Sequence, residues 1–286
     1  MDTAQLLING LAIGSILSLV AVGLTLTFGI LRLPNFAQGD LMTVGAYLTW
    51  ISNIAGLNIW LSMIAGAIGT VGVMLLTEVF LWKPMRNIRA QPTTLIIISI
   101  GLALFLRSSI LLIWGGSNQS YDLPILQAID IFGLQVAYYR IIAIALSLLA
   151  IIALHFILQN SQIGKAMRAV ADNIDLARVS GINVERIVIW TWVIAGILTA
   201  IAGASYGLIT AVRPNMGWFL ILPIFASVIL GGIGNSYGAV TGAYLIGIAQ
   251  ELSVPLLGSQ YKLGVALLIM VVMLLVRPQG LFRGTL

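Results

Sequence analysis

Apolar runs of helical length recur from one end of the chain to the other, separated by short polar or glycine-rich stretches. The runs predict nine helices, over residues 6–31, 41–55, 59–82, 93–114, 138–158, 188–212, 219–230, 240–257 and 263–276. The long ones meet the roughly 20 residues a helix needs to cross a bilayer, and none alternates polar and apolar positions as a barrel strand does. The second and seventh runs are short. A version with eight spans, in which one short segment is re-entrant, therefore stays open. The expected fold class is all-α: a polytopic membrane protein of 8–9 transmembrane helices forming one domain over residues 1–286. A weak internal echo, Gly45-Ala46-Tyr47-Leu48 against Gly242-Ala243-Tyr244-Leu245, each preceded by a break containing Gly and Asn, raises two related halves, as transporters often show.

Three interruptions stand out between the runs. The first, Arg32 to Asp40, places Asn35, Gln38, Gly39 and Asp40 between two apolar runs. The second, residues 161–187, is the longest polar stretch; its small residues Ala166, Ala169, Asn173 and Ala177 recur at helical spacing and predict a shallow face on which another protein can rest. An ordinary solvated loop is the alternative. Asn173 and Asn183 are good N-caps and Gly181 a good stop, so two short helices are expected, over 164–171 and 174–180. The third packs five glycines into residues 231–242.

Composition removes the soluble alternatives. With 60% hydrophobic and 8% charged residues and a mean hydropathy of +1.07, the chain has too little polar surface to cover a water-soluble globule. The absence of cysteine excludes disulfides and thiolate metal sites. The opening Met-Asp-Thr-Ala-Gln lacks the basic region of a secretory signal, so the first run reads as a retained span. The net charge of +5 comes from short loops and carries no nucleic-acid signal. Nine spans starting outside place Arg32, Lys83, Arg86, Arg89, Lys165, Arg168, Arg178, Arg186, Arg277 and Arg283 on the cytoplasmic face. Arg140, Arg213 and Lys262 then fall outside, beside an acidic loop holding Asp122 and Asp130, and Arg107 lies within a span. That bias is the positive-inside pattern, with the C-terminus cytoplasmic.

Chemistry of its own is scarce. The glycine-rich run has no Gly-Lys-Ser/Thr ending, and Gly164-Lys165 continues into Ala166 with Gln159 where a phosphate loop needs glycine, so no ATP motif and no cofactor site is expected. No paired carboxylates, His cluster or nucleophile-base spacing supports catalysis or a metal. Intramembrane ionisable residues are functional suspects, and they are few: Glu78, Arg107 and Glu251, with Asp40 and His155 near predicted ends. Glu78 and Glu251 sit close enough to helix ends to snorkel to the interface, and His155 reads as interfacial.

Three stretches resemble one family. Gly23 to Ile30 running into Asn35 to Asp40 and Gly45-Ala46-Tyr47 is similar to its N-terminal signature. Gly164, Lys165, Ala166, Arg168, Ala169, Asp172, Asn173, Ala177 and Gly181 match its cytoplasmic coupling segment. Val228 to Asn235, with Gly231, Gly232 and Gly234, followed by Gly238-Ala239 and Gly242, matches its glycine-rich segment, and Arg277 to Phe282 its usual ending. The family is the integral-membrane permease subunits of ABC importers for branched-chain and other neutral amino acids, and the short length is similar to the first of the two non-identical permeases that such importers pair. The resemblance implies a bacterial inner-membrane subunit that is not itself an enzyme. Its implied partners are a homologous second permease, two cytoplasmic ATPases, which hydrolyse the ATP, and an external solute-binding protein, with an amino acid as cargo. Urea and short-amide importers have permeases of closely similar pattern, and a self-sufficient secondary carrier or a structural subunit without a pathway are the rivals from other classes. On the family reading, the break at Asn35, Gln38, Gly39 and Asp40, with Gly231, Gly232, Gly234 and Asn235, lines the substrate pathway, Asp40 meeting an ammonium group; the alternative is that Asp40 caps the second span. Gly164 is expected to allow the turn out of the fifth span, and Arg168 to pair with an acid on the partner or with Asp172 one turn on.

Overall fold

The structure, a computed structural model, describes residues 3–124, 128–131 and 134–282. Arg283 and the side chain of Asp130 therefore lie outside the described residues. Thirteen α-helices are described: α1 Thr3–Leu31, α2 Gln38–Ile54, α3 Ile59–Thr77, α4 Lys83–Asn87, α5 Pro92–Trp114, α6 Tyr138–Asn160, α7 Gln162–Asp172, α8 Ile174–Val179, α9 Val184–Ile209, α10 Met216–Gly231, α11 Ser236–Leu252, α12 Val254–Leu257 and α13 Lys262–Val276. A π-helical turn, Glu78–Trp82, joins α3 to α4 in one rod. A small antiparallel hairpin, β1 Ile129–Ile131 and β2 Leu134–Val136, precedes α6.

Among the described residues, seven helical rods are long and apolar enough to cross a membrane. The other two predicted spans are α2 and α10, of 17 and 16 residues, and each follows a non-helical stretch, residues 32–37 and 210–215. Contacts at the helix ends sort the loops into two faces. At one, Arg32 reaches the carbonyl of Ala171 in α7, and the C-terminal tail bonds the end of α10, Leu281 N–H to Leu230 at 2.9 Å. At the other, Asn53 at the end of α2 accepts from Asp122 N–H at 2.7 Å, and Gln119 and Val212 exchange backbone hydrogen bonds. The basic residues assigned to a common face, Arg283 aside, gather at the first of these, called here the basic end.

Two central helices organise the bundle. α1 and α9 are buried along most of their length, whereas α3, α5, α6 and α13 keep apolar outer faces exposed. Each partner set repeats: α2 packs on α3 as α10 packs on α11, α3 on α9 as α11 on α1, and α2 on α5 as α10 on α13. α1 runs toward the basic end and α9 away from it, so the repeats are inverted. The shift that takes Gly39 to Gly217 also takes Gly29 to Gly207 and Thr49 to Ser227. The last two make the same bond, Thr49 Oγ1 to the carbonyl of Gly45 at 2.8 Å and Ser227 Oγ to that of Pro223 at 2.7 Å. The two halves are therefore real, but the tetrapeptide echo does not mark them: Gly45 lies on α2 and Gly242 on α11, and these helices are not equivalents.

Small residues set how close the helices come. Gly10 and Gly14 of α1 lie against the backbone of Ile248 and Tyr244 in α11, where any Cβ would collide. Without a hydrophobic driving force between helices inside lipid, such close backbone packing is a main source of association.

Candidate functional site

The two interrupted helices begin at the same place. Gly39 and Gly217, both in first turns, press backbone to backbone, and a Cβ on either would overlap the other's carbonyl. Gly217 N–H donates to Thr43 Oγ1 at 3.0 Å, tying the α10 start to α2. From this junction α2 and α10 run to opposite faces, so two positive helix-dipole ends converge inside the protein.

The first break closes on itself. Asn35 Oδ1 accepts from Ala37 N–H at 3.1 Å, its amide nitrogen reaches Gln38 Oε1 at 3.4 Å, and Gln38 Nε2 donates to Thr199 Oγ1 of α9 at 2.6 Å. Phe36 N–H donates to Ser99 Oγ of α5 at 3.2 Å, and the Phe36 ring stacks on Phe225 of α10. Asn35 and Gln38 are 0% exposed and Asp40 is 1% exposed. These amides thus hold the break together and do not face an opening. Asp40 is not a cap either: Ala37 occupies the N-cap, and no side chain caps α2. The Asp40 carboxylate instead takes Arg107 of α5, Nε to Oδ1 at 3.2 Å and Nη2 to Oδ2 at 3.4 Å, so it is not free for a ligand's ammonium group. The Arg107 guanidinium in turn lies over the Trp218 ring of α10, 4.3 Å from its centroid. The sequence marked Arg107 as an intramembrane charge, but nothing in it signalled this pairing or Trp218.

The glycine-rich residues lie elsewhere. Gly231 is 14 positions beyond Gly217 on α10, about 21 Å along the axis at 1.5 Å per residue. Gly231 packs against Gly238, and Gly280 of the tail against Gly232; Asn235 caps α11, accepting from Gly238 N–H at 3.0 Å. Gly231, Gly232, Gly234 and Asn235 form a tight turn that receives the C-terminal tail, and they do not meet Asn35–Asp40.

The polar segment folds as the caps predict. Ser161 starts α7 by accepting from Gly164 N–H at 2.9 Å, Asn173 starts α8 by accepting from Leu176 N–H at 2.9 Å, and Asn183 starts α9 by accepting from Arg186 N–H at 3.0 Å. Gly181 makes the stop with φ +86. Ser161, extended at φ −85 and ψ 155, makes the turn out of α6. Gly164 is needed for a different reason than the expected one: a Cβ there would strike the carbonyls of Ile157 and Leu158. Arg168 turns back to donate to the Leu158 carbonyl at the end of α6, and pairs with no acid among the described residues, Asp172 included. The small residues do not form one outward face: Ala177 is buried with the anchors Met167 and Val170, Ala166 and Ala169 are half-covered, and Asn173 alone is exposed. Lys165, Asp172 and Asn173 are exposed, and beside them stand Leu176 and Val179 of α8, 63% and 81% exposed, an apolar pair that the spacing argument missed.

The remaining suspects are paired. Glu78 does not snorkel: it is 5% exposed and accepts from Arg86 and from Trp192 Nε1, the latter at 2.7 Å. Glu251, 7% exposed, pairs with Lys262. The exposed His155 Nδ1 shares a hydrogen with Tyr237 OH at 2.8 Å. Among the described residues there is no group of His, Cys, Asp or Glu that would hold a metal.

Comparison with known proteins agrees with this architecture. The family described as the branched-chain amino acid transport system permease component matches residues 6–274. The high-affinity branched-chain amino acid transport system permease protein LivH of Salmonella typhimurium is 29% identical, the alignment covering 97% of this chain and 94% of that protein. The probable branched-chain amino acid transport permease protein LivH of Methanocaldococcus jannaschii is 31% identical over 97% of this chain and 92% of its own. Among solved structures, PsaBC from Streptococcus pneumoniae in complex with Fab is similar in fold, with a TM-score of 0.52 at 14% identity over 95% of this chain and 91% of that one.

Proposed function

The chain belongs to the branched-chain amino acid transport permease family, and from that premise we propose that α7 and α8 seat it on a separate cytoplasmic ATPase, whose closure drives the import of a branched-chain amino acid. The observation that carries this reading is the build of the α7–α8 pair. It is anchored by Met167, Val170 and Ala177, capped at both starts, and presents Lys165, Asp172, Leu176 and Val179 outward at the basic end. A solvated loop needs neither two capped helices nor an exposed Leu and Val side by side. The Lys and Arg bias supports a cytoplasmic basic end, with the N-terminus outside. On this reading the chain carries no catalytic step, ATP being hydrolysed by the partner; a homologous second permease covers part of the exposed apolar faces, and an external binding protein delivers the cargo.

A gradient-driven carrier fits less well. Driven by protons, it needs a buried carboxylate able to gain and lose a proton, and Asp40, Glu78 and Glu251 each hold a basic partner. The test is the double variant Leu176→Asp/Val179→Asp in the full importer. The ATPase should no longer co-purify and uptake should fall by at least tenfold while the permease still inserts; normal uptake with the ATPase retained would overturn the docking assignment.

A further inference from the structure

The guanidinium of Arg107 is an intramembrane charge with only part of its hydrogen-bonding capacity used. Arg107 lies about 22 Å along α5 from Pro92 and about 10 Å from Trp114, so it is inside the depth that an apolar helix spans. Its side chain is nevertheless 16% exposed, beside the exposed ring of Trp218. Nε and Nη2 are committed to Asp40, while Nη1 has no hydrogen-bond partner among the described residues. A cation reaching the outer surface at that depth cannot rest on lipid tails. This face of α5 and α10 must meet water or polar groups.

The sign of the local field decides what fits there. Asp40 and Arg107 together are neutral, and the starts of α2 and α10 add two positive dipole ends at the same point. A carboxylate is attracted to such a place and an ammonium is not. Trp218, 45% exposed against the guanidinium, offers apolar surface for an aliphatic side chain. We propose that Arg107 meets the carboxylate of the amino acid in transit through its free Nη1 edge, with Asp40 and Trp218 as positioning residues that hold the guanidinium edge outward. The assignment rests on reading the chain as an importer permease, and it moves the ligand contact from Asp40, where the sequence put it, to the partner of Asp40.

The experiment uses the complete importer in proteoliposomes and reads the ATP hydrolysed per amino acid delivered, for the wild type, Arg107→Gln, Arg107→Lys and the swap Asp40→Arg/Arg107→Asp. A carboxylate contact predicts that uptake falls about tenfold in Arg107→Gln while hydrolysis stimulated by the loaded binding protein persists, so the ratio rises about tenfold. The swap rebuilds a neutral pair and should recover complex yield without recovering uptake, because it turns a carboxylate toward the cargo. If Arg107→Gln does not assemble, Arg107→Lys carries the same prediction with a smaller rise, since one ammonium serves Asp40 and cargo poorly. An unchanged ratio in the assembled variant, or a swap that restores uptake together with yield, overturns the assignment and leaves the pair a structural brace. A wild-type importer that delivers no amino acid counts against the premise of import, not against Arg107.

Discussion

Two polar interruptions that look alike in the sequence have opposite fates in the structure. The break at Asn35–Asp40 is buried and closed, and the segment at 161–187 stays at the surface. The difference lies in what the rest of the chain supplies. Thr199, Ser99 and Arg107 reach the first from α9 and α5, so each buried polar group finds a partner. The second meets mostly its own caps, apolar anchors and the end of α6, and apart from Glu185, paired with Lys83, and Arg168, bonded to Leu158, its charges are left to solvent or to another protein. A polar stretch in a membrane chain thus becomes core where distant groups satisfy it, and surface where few do.

Substitutions should separate the two regions by what they damage. The largest loss of stability is expected from Arg107→Leu, which strands the Asp40 carboxylate and should cost about 3–5 kcal/mol; Asp40→Leu/Arg107→Leu together should recover most of it. Thermal unfolding of the detergent-purified permease measures both, and additive losses in the double variant would show that the two residues do not act as a pair. Gly217→Val comes next. Overpacking against the Gly39 carbonyl should cost about 1–3 kcal/mol, read in the same assay. Leu176→Asp/Val179→Asp should change stability by about 0.5 kcal/mol or less, the range of surface sites, yet abolish ATPase association in a pull-down. The smallest effect is expected from Lys165→Ala: no measurable stability change, and a modest weakening of the same association at low salt that disappears at high salt.

Much of the scaffold was legible in the sequence because its cues are local. Nine apolar runs became seven long rods and two shorter helices, with ends near the expected places, and Asn173, Gly181 and Asn183 marked the α7–α8–α9 boundaries. What escaped depends on groups far apart in the chain. Gln38 and Thr199 are 161 residues apart and Asp40 and Arg107 are 67, so no spacing rule joins them. The same holds for Glu78, which the sequence placed at an interface and which Trp192 and Arg86 hold inside. The internal symmetry was sensed through the wrong residues: Gly45-Ala46-Tyr47 and Gly242-Ala243-Tyr244 share letters, but Gly39 and Gly217 share a place. In an apolar chain built from few residue types, matching letters are cheap. Equivalent contacts are the better guide.

The most direct test of the account is uptake of radiolabelled leucine into proteoliposomes, comparing this chain alone with the chain reconstituted alongside its partner permease, ATPases and binding protein. Uptake that requires every component and internal ATP is the predicted result; uptake by this chain alone, driven by an ion gradient without ATP, would contradict it.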